Sequence, residues 1–432
     1  MITTTEPSTP AAPTSMRGRL DALADPLVRN GLLLAANTGL SGLLGFATWI
    51  IASRTVGAAS VGAAQGLVAT ATLATLVANL GLGTALVQEL PRSPDDETWM
   101  RTATGALQLA AVLGALGGLV ALGLVAVAVP TLLADGPVVG AVLVVGTMLW
   151  TTSLVSDFVA TGARRGGLVV ARNGVFAVVK LALTAALVAA GHRSTLALYG
   201  AWPIASALSI IVSLVWAKRL GRGPLRRGSV RTAWRTLRHS SLANHGVNLG
   251  AQAPGFILPL LVVAEVSTTA NAYVGAAVMT CAMLSAWSPA VSMSLLTEGS
   301  HGRNWSEAQR RTFRLLATTL GPGVLIVVLG RDVVLRLFGP AYPEHAAALL
   351  VLLAIGTVPD AVSNVAVVRM RIERRYRDAI LLNTTIAVVM VGAAAALLPV
   401  YGIVAVGYAW LAAQLVGAAM AARDLRRHRA IQ

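Results

Sequence analysis

The chain has 432 residues, with 34 Lys+Arg against 18 Asp+Glu and a formal net charge of +16. Hydrophobic residues make up 56% and charged residues 12%, about half the charged share of an ordinary soluble domain, which excludes a typical cytosolic enzyme. A single cysteine, Cys281, excludes a disulfide-built secreted scaffold. A positive excess of this size is common in nucleic-acid binders, but here Arg and Lys lie between long apolar runs. They flank membrane spans, and no nucleic-acid partner is expected.

Residues 1–16 are polar and rich in Pro and Thr, and read as a disordered tail within a cytoplasmic N-terminus reaching residue 30. Arg17, Arg19 and Arg29 precede the first apolar run, which is too long for a cleaved leader and should stay as an anchor. With roughly 20 apolar residues needed per spanning helix, the chain reads as about twelve spans. They fall near 31–53, 60–87, 102–130, 137–161, 167–190, 195–217, 240–264, 270–296, 313–330, 345–368, 379–398 and 402–422. With the N-terminus inside, 29 of the 34 basic residues fall in inside segments and four outside, the bias of cytoplasmic loops. Both termini are therefore expected in the cytoplasm of a bacterial plasma membrane.

The longest internal hydrophilic stretch, about 218–239, is a basic linker between two sets of six spans, 31–217 and 240–422, and 423–432 forms a cytoplasmic tail. An offset of 207 places Asn37 on Asn244, Asp157 on Asn364 and Arg164 on Arg371; an offset of 208 places Ala201-Trp202 on Ala409-Trp410. These matches suggest a duplicated six-helix unit, whose halves would be parallel because six is even. Chance matching of biased compositions is the competing reading. The fold class is all-α integral membrane, about 12 transmembrane helices in two six-helix halves.

Charges within spans cost several kcal/mol unless they face a cavity or a partner. Lys180 lies near the middle of the fifth span, either as a cavity-facing cation or paired with Asp157 or Asp360. In the seventh span Ser240, Asn244, Asn248 and Gln252 recur every four residues and share one face. Pro254, Gly255 and Pro259 then interrupt the helix. The stripe fits the wall of a wet cavity or, alternatively, inter-helix hydrogen bonding. Asn37 is a weaker candidate of the same kind. Deep carboxylates are few, and Asp157 and Asp360 are the candidates for ion coupling. A buried lysine with few acids favours an anionic substrate group such as phosphate. The sequence holds no P-loop, no zinc-type His spacing and no Gly-x-Ser-x-Gly elbow, so no cofactor, no metal and no enzymatic activity are expected.

Three motifs carry a resemblance: Ala52-Ser53-Arg54-Thr55-Val56-Gly57 with Gly62, Asn79-Leu80-Gly81-Leu82, and Arg336-Leu337-Phe338-Gly339-Pro340-Ala341-Tyr342. With twelve spans in a six-plus-six plan, the chain from about residue 30 resembles the polysaccharide (O-antigen-type) flippases. These belong to the multidrug/oligosaccharidyl-lipid/polysaccharide (MOP) exporter superfamily. The resemblance implies a V-shaped bundle with alternating access, and a polyprenyl-pyrophosphate-linked oligosaccharide moved across the membrane for cell-surface polysaccharide synthesis. Partners would be membrane lipids and the glycosyltransferases and polymerase of such a pathway. Lys180 would attract the diphosphate and Asn244, Asn248 and Gln252 the sugar; Arg54 would sit at the outer edge of the cavity or act as an interfacial anchor. Lipid II flippases, a sister family, carry an Arg-Asp pair in the first span after Gly-Phe. Here Gly45-Phe46-Ala47 is followed by Thr48-Trp49, which argues against a peptidoglycan role. A multidrug or metabolite cation antiporter of the same superfamily is the alternative, and a membrane glycosyltransferase or polymerase a more distant one.

Overall fold

A run of twenty apolar residues in lipid must satisfy every backbone N–H and C=O within itself, and the helix does so. The computed structural model describes residues 26–217, 228–286, 288, 305–373 and 375–427, and among them there is helix and turn but no strand. The expected N-terminal tail, the first ten residues of the basic linker (218–227) and the last five residues lie outside the described residues.

In chain order the helices are α1 (Pro26–Thr55), α2 (Ala58–Ala78), α3 (Leu82–Glu89), α4 (Asp96–Ala128), α5 (Pro137–Gly162), α6 (Gly166–Ala189) and α7 (Thr195–Ala217). They continue as α8 (Val230–Glu265), α9 (Thr268–Ser285), α10 (Trp305–Leu329), α11 (Arg331–Arg336), α12 (Tyr342–Ile372), α13 (Tyr376–Tyr401) and α14 (Val404–Arg427). All except the short α3 and α11 are of spanning length. Among the described residues, nine are apolar enough over 18 residues to cross a bilayer, and α8 carries a shorter apolar stretch, Gln252–Glu265.

Two boundaries differ from the sequence reading. The span expected over 60–87 is broken at Asn79–Gly81 into α2 and α3. Leu80 (φ 47°) and Gly81 (φ 78°) adopt left-handed backbone there, and a Cβ on Gly81 would overlap the Ser241 carbonyl of α8. Residues 230–239, read as linker, form the first turns of α8. Ser229 caps this helix by accepting from the Thr232 amide at 3.3 Å. At the start of α4, Asp95 does the same for Thr98 at 2.6 Å, and that bond holds its carboxyl below the usual carboxylate range.

The core is built in separate clusters. One joins Leu67 of α2, Leu143 of α5, Phe176 of α6 and Trp202 of α7. A second lies at the end where α3 and α4 meet, around Leu82, Leu86, Trp99 and Val159. A third gathers Phe338, Leu349 of α12, Met390 of α13 and Ala409 of α14. Helix α8 belongs to all three. Its Ala233 and Leu237 are fully buried in the second cluster, Val263 in the first, and Leu258 and Val262 in the third. Ser240 donates to Glu89 of α3 at 2.6 Å, while Gly250 lies against Thr384 of α13. Near the loop between α12 and α13, Arg375 bridges Asp378 and Asp424 at 2.7 and 2.6 Å, tying α13 to the end of α14.

Candidate functional site

Two adjoining cavities lie where α1 and α2 face α8, α9, α12, α13 and α14. The first, about 370 Å³, is lined by Trp49, Gln65, Val68, Thr72, Phe256, Pro259, Asn271, Met279, Cys281 and Leu353, and is almost wholly apolar. The second, about 520 Å³, is lined by Gln252, Asp360, Ser363, Asn364, Arg371, Asn383 and Gln414. Gly255, Met390 and Trp410 line both, so the two form one chamber with an apolar and a polar part. Sequence fixes this division. On α12, Asp360, Ser363, Asn364 and Arg371 recur at helical spacing and share a face, while α9 presents small and apolar residues toward α2.

Polar groups in the chamber are only partly satisfied. Asn364 donates to Asp360 at 2.9 Å, and Asp360 forms no ion pair among the described residues. Among the described residues the Gln414 Oε1 and, at the apolar part, the Gln65 Oε1 are buried without a hydrogen-bond partner. A buried acceptor left unpaired costs about 1–3 kcal/mol. Water or a polar ligand in the chamber would recover that.

Inside the first seven helices the polar residues are arranged in the opposite way. Arg172 of α6, 2% exposed, grips both carboxylate oxygens of Asp157 on α5 through Nε and Nη2, each at 2.5 Å. It also donates to Ser153, to Ser209 of α7 at 3.3 Å and to Asn173 at 2.7 Å. Asn173 returns a bond to Asp157 at 3.2 Å. Every charge here is matched, as a buried pair requires. Asp157 also borders a mostly apolar cavity of about 320 Å³ between α4 and α7. The sequence reading counted Arg172 only as a cytoplasmic-side charge. Its signal was present: a lone Arg one and a half turns into an apolar helix, across a short turn from the only acid of the preceding helix.

The other sequence candidates fall as follows. Lys180 is half-buried between α6 and α1. Its Nζ lies 5.3 Å from the Phe176 ring centroid and 3.9 Å from the Cβ position of Gly45. It borders neither cavity of the chamber and pairs with no carboxylate among the described residues. Gln252 lines the polar cavity. Asn244 and Asn248 sit on α8, and their side chains lie outside the described residues. Asn37 is half-buried on α1 and borders neither cavity.

Arg54, at the end of α1, reaches across to the end of α11. Its Nε donates to the Leu337 carbonyl at 2.6 Å and its Nη2 to the Arg336 carbonyl at 2.9 Å. Beneath it Phe46 meets Phe338 edge-to-face, with centroids 5.1 Å apart. Beside it the Asn271 amide of α9 donates to the Gly62 carbonyl of α2 at 2.8 Å. A Cβ on Gly62 would overlap the Thr268 carbonyl, so only glycine allows this approach. The buried hydroxyls of Ser53 and Tyr342 face each other across the same seam.

A family profile described as "Polysaccharide biosynthesis protein" matches residues 27–250, and the chain belongs to that family. No curated protein sequence matches it. Among solved structures it is similar to an inward-facing multidrug resistance MATE family transporter of the MOP superfamily, at 15% identity, covering 90% of this chain and 95% of that one, with a TM-score of 0.74. It is similar to the lipid II flippase MurJ in an inward closed conformation, at 10% identity, with 91% and 87% covered and a TM-score of 0.75. A MOP superfamily transporter from Pyrococcus furiosus, described as having a binding pocket of reverse polarity, matches at 13% identity, with 95% and 96% covered and a TM-score of 0.55. The chain is a multi-pass membrane protein with the fold of the MOP superfamily.

Proposed function

We propose that the chain flips a polyprenyl-pyrophosphate-linked oligosaccharide across the bacterial plasma membrane by alternating access, as a transporter and not an enzyme. The supporting observation is the chamber with two characters, set between α1–α2 and the last helices of a polysaccharide biosynthesis family member. A lipid-linked saccharide needs both: polar walls for the sugar and an apolar surround for the part that stays in lipid. In this reading the first and last six long helices are the two moving halves, and both termini are cytoplasmic.

Gln252 hydrogen-bonds the sugar, with Asn248 and Asn244 one and two turns earlier on α8, and Trp410 offers an aromatic wall. Lys180 and Asn37, which border neither cavity in this conformation, meet the diphosphate and the sugar at another stage of the alternating-access cycle. Asp360, which forms no ion pair among the described residues, is the coupling group; Asp157 is already held by Arg172. Glycosyltransferases and a polymerase of the pathway would make and consume the cargo.

The test is deletion of the gene in its own host. The expected result is loss of a surface polymer and build-up of its lipid-linked repeat on the cytoplasmic leaflet, reversed by a plasmid copy. A normal envelope would overturn the reading. The second reading, a MATE-type cation antiporter, is favoured by Asp360, a cavity-lining carboxylate in no ion pair among the described residues. It predicts efflux-type resistance with the envelope unchanged.

A further inference from the structure

Two of the motifs that gave the resemblance dock on each other, although Arg54 and Leu337 are 283 residues apart. The charge-assisted pair of bonds from Arg54 ends on carbonyls that a helix terminus leaves unpaired. One ring contact, Phe46–Phe338, joins α1 to an aromatic run that continues through Tyr342 and Tyr273 to His345. Asn271 and Gly62 close the neighbouring approach of α9 to α2. All three contacts join the first six long helices to the last six at the face expected outside, and the buried hydroxyls of Ser53 and Tyr342 meet between them.

We propose that Arg54 is a gating residue: its fork over the α11 terminus latches the outer seam, and the bond must break before the chamber opens outward. The proposal rests on the alternating-access reading. The two hydrogen bonds from Arg54 exist only while the seam is shut. Arg54 therefore sets the balance between the closed and open outer face, and it touches no cargo to do so.

The chain's one cysteine, Cys281, lines the apolar cavity and is 4% exposed, so it reports the opening directly. Intact cells are treated with a small membrane-impermeant charged thiosulfonate, and Cys281 modification is timed. Unaltered protein is expected to label slowly. Arg54→Ala is expected to label roughly tenfold faster, the loss of a hydrogen bond to a charged group expressed as a population shift, and Arg54→Lys, with a single donor nitrogen in place of the planar fork, in between. A second reporter, Thr72→Cys in a Cys281→Ala background, should respond alike. Equal rates in all three proteins at both positions would overturn the latch. In the same Cys281→Ala background, Arg54→Cys with Leu337→Cys, joined by a reversible bifunctional thiosulfonate, should stop polymer export until reductant is added. In a host whose deletion strain has lost the polymer, export that continues while the pair is joined would also overturn it. Labelling does not depend on cargo. If it responds while the deletion strain keeps its surface polymer, the latch stands and the polysaccharide reading falls.

Discussion

The two sets of helices handle buried polarity in opposite ways at corresponding depths. At the offset of 207, Ser153 corresponds to Asp360, Asp157 to Asn364 and Arg172 to Ala379. In the first set the arginine is present, and it locks α5, α6 and α7 into one hydrogen-bonded unit. In the second the arginine position is a buried alanine packed with Val367, Met370 and Leu382, the acid has moved one turn along the helix, and Asp360 and Asn364 line a cavity of about 520 Å³. A matched charge stiffens a bundle, whereas an acid without a cation keeps a place for something that arrives from outside.

The sharpest break of this contrast is Arg172→Ala. It leaves Asp157 uncompensated in the core, and removing one partner of a buried pair costs about 3–5 kcal/mol. The variant should show a sharply lowered melting temperature in detergent by fluorescence-detected size exclusion. A melting point like that of the unaltered protein would refute the locking role. Asp360→Asn is expected to act the other way: export falls at least about tenfold, because a coupling charge is gone, while stability changes by less than about 1 kcal/mol. Export assayed beside melting decides it, and full export would remove Asp360 from the mechanism.

Ser153→Ala removes one acceptor from Arg172 and should cost about 1.5–3 kcal/mol, the range for a bond to a charged group. Gln414→Leu is the smallest. Its Oε1 is already buried without a partner, so loss of the amide should leave stability unchanged or raise it by less than about 1 kcal/mol. If Gln414→Leu proved as harmful as Ser153→Ala, the chamber would be as fully bonded as the first set and the contrast would fail.

The long helices were legible because lipid imposes length and apolarity together. The break after α2 was not, because its cause, Gly81 against the Ser241 carbonyl, lies 160 residues along the chain. The first turns of α8 read as linker because Arg231, Arg235 and Arg238 dominate them, yet Ala233 and Leu237, one turn apart, were the buried stripe within that charge. The candidate site was visible as residue types and not as partners. Arg54 stood out in its motif, but what it holds is a pair of backbone carbonyls, which leave no mark in a sequence. Lys180 stood out by its cost in lipid, and its neighbours Phe176 and Gly45 carry no charge that could have announced the contact.

Helix α8 is tied at both ends to different company. Its first turns are embedded with α3 and α4, its middle rests on α13, and Pro254, Gly255 and Pro259 fall from the middle onward. A strap fastened in this way cannot be a bystander when its two anchors move apart. It must flex, and the weakest stretch of its hydrogen-bond ladder is where two prolines withhold their donors. How far the anchors can separate is thus limited by how sharply one short stretch of backbone can bend.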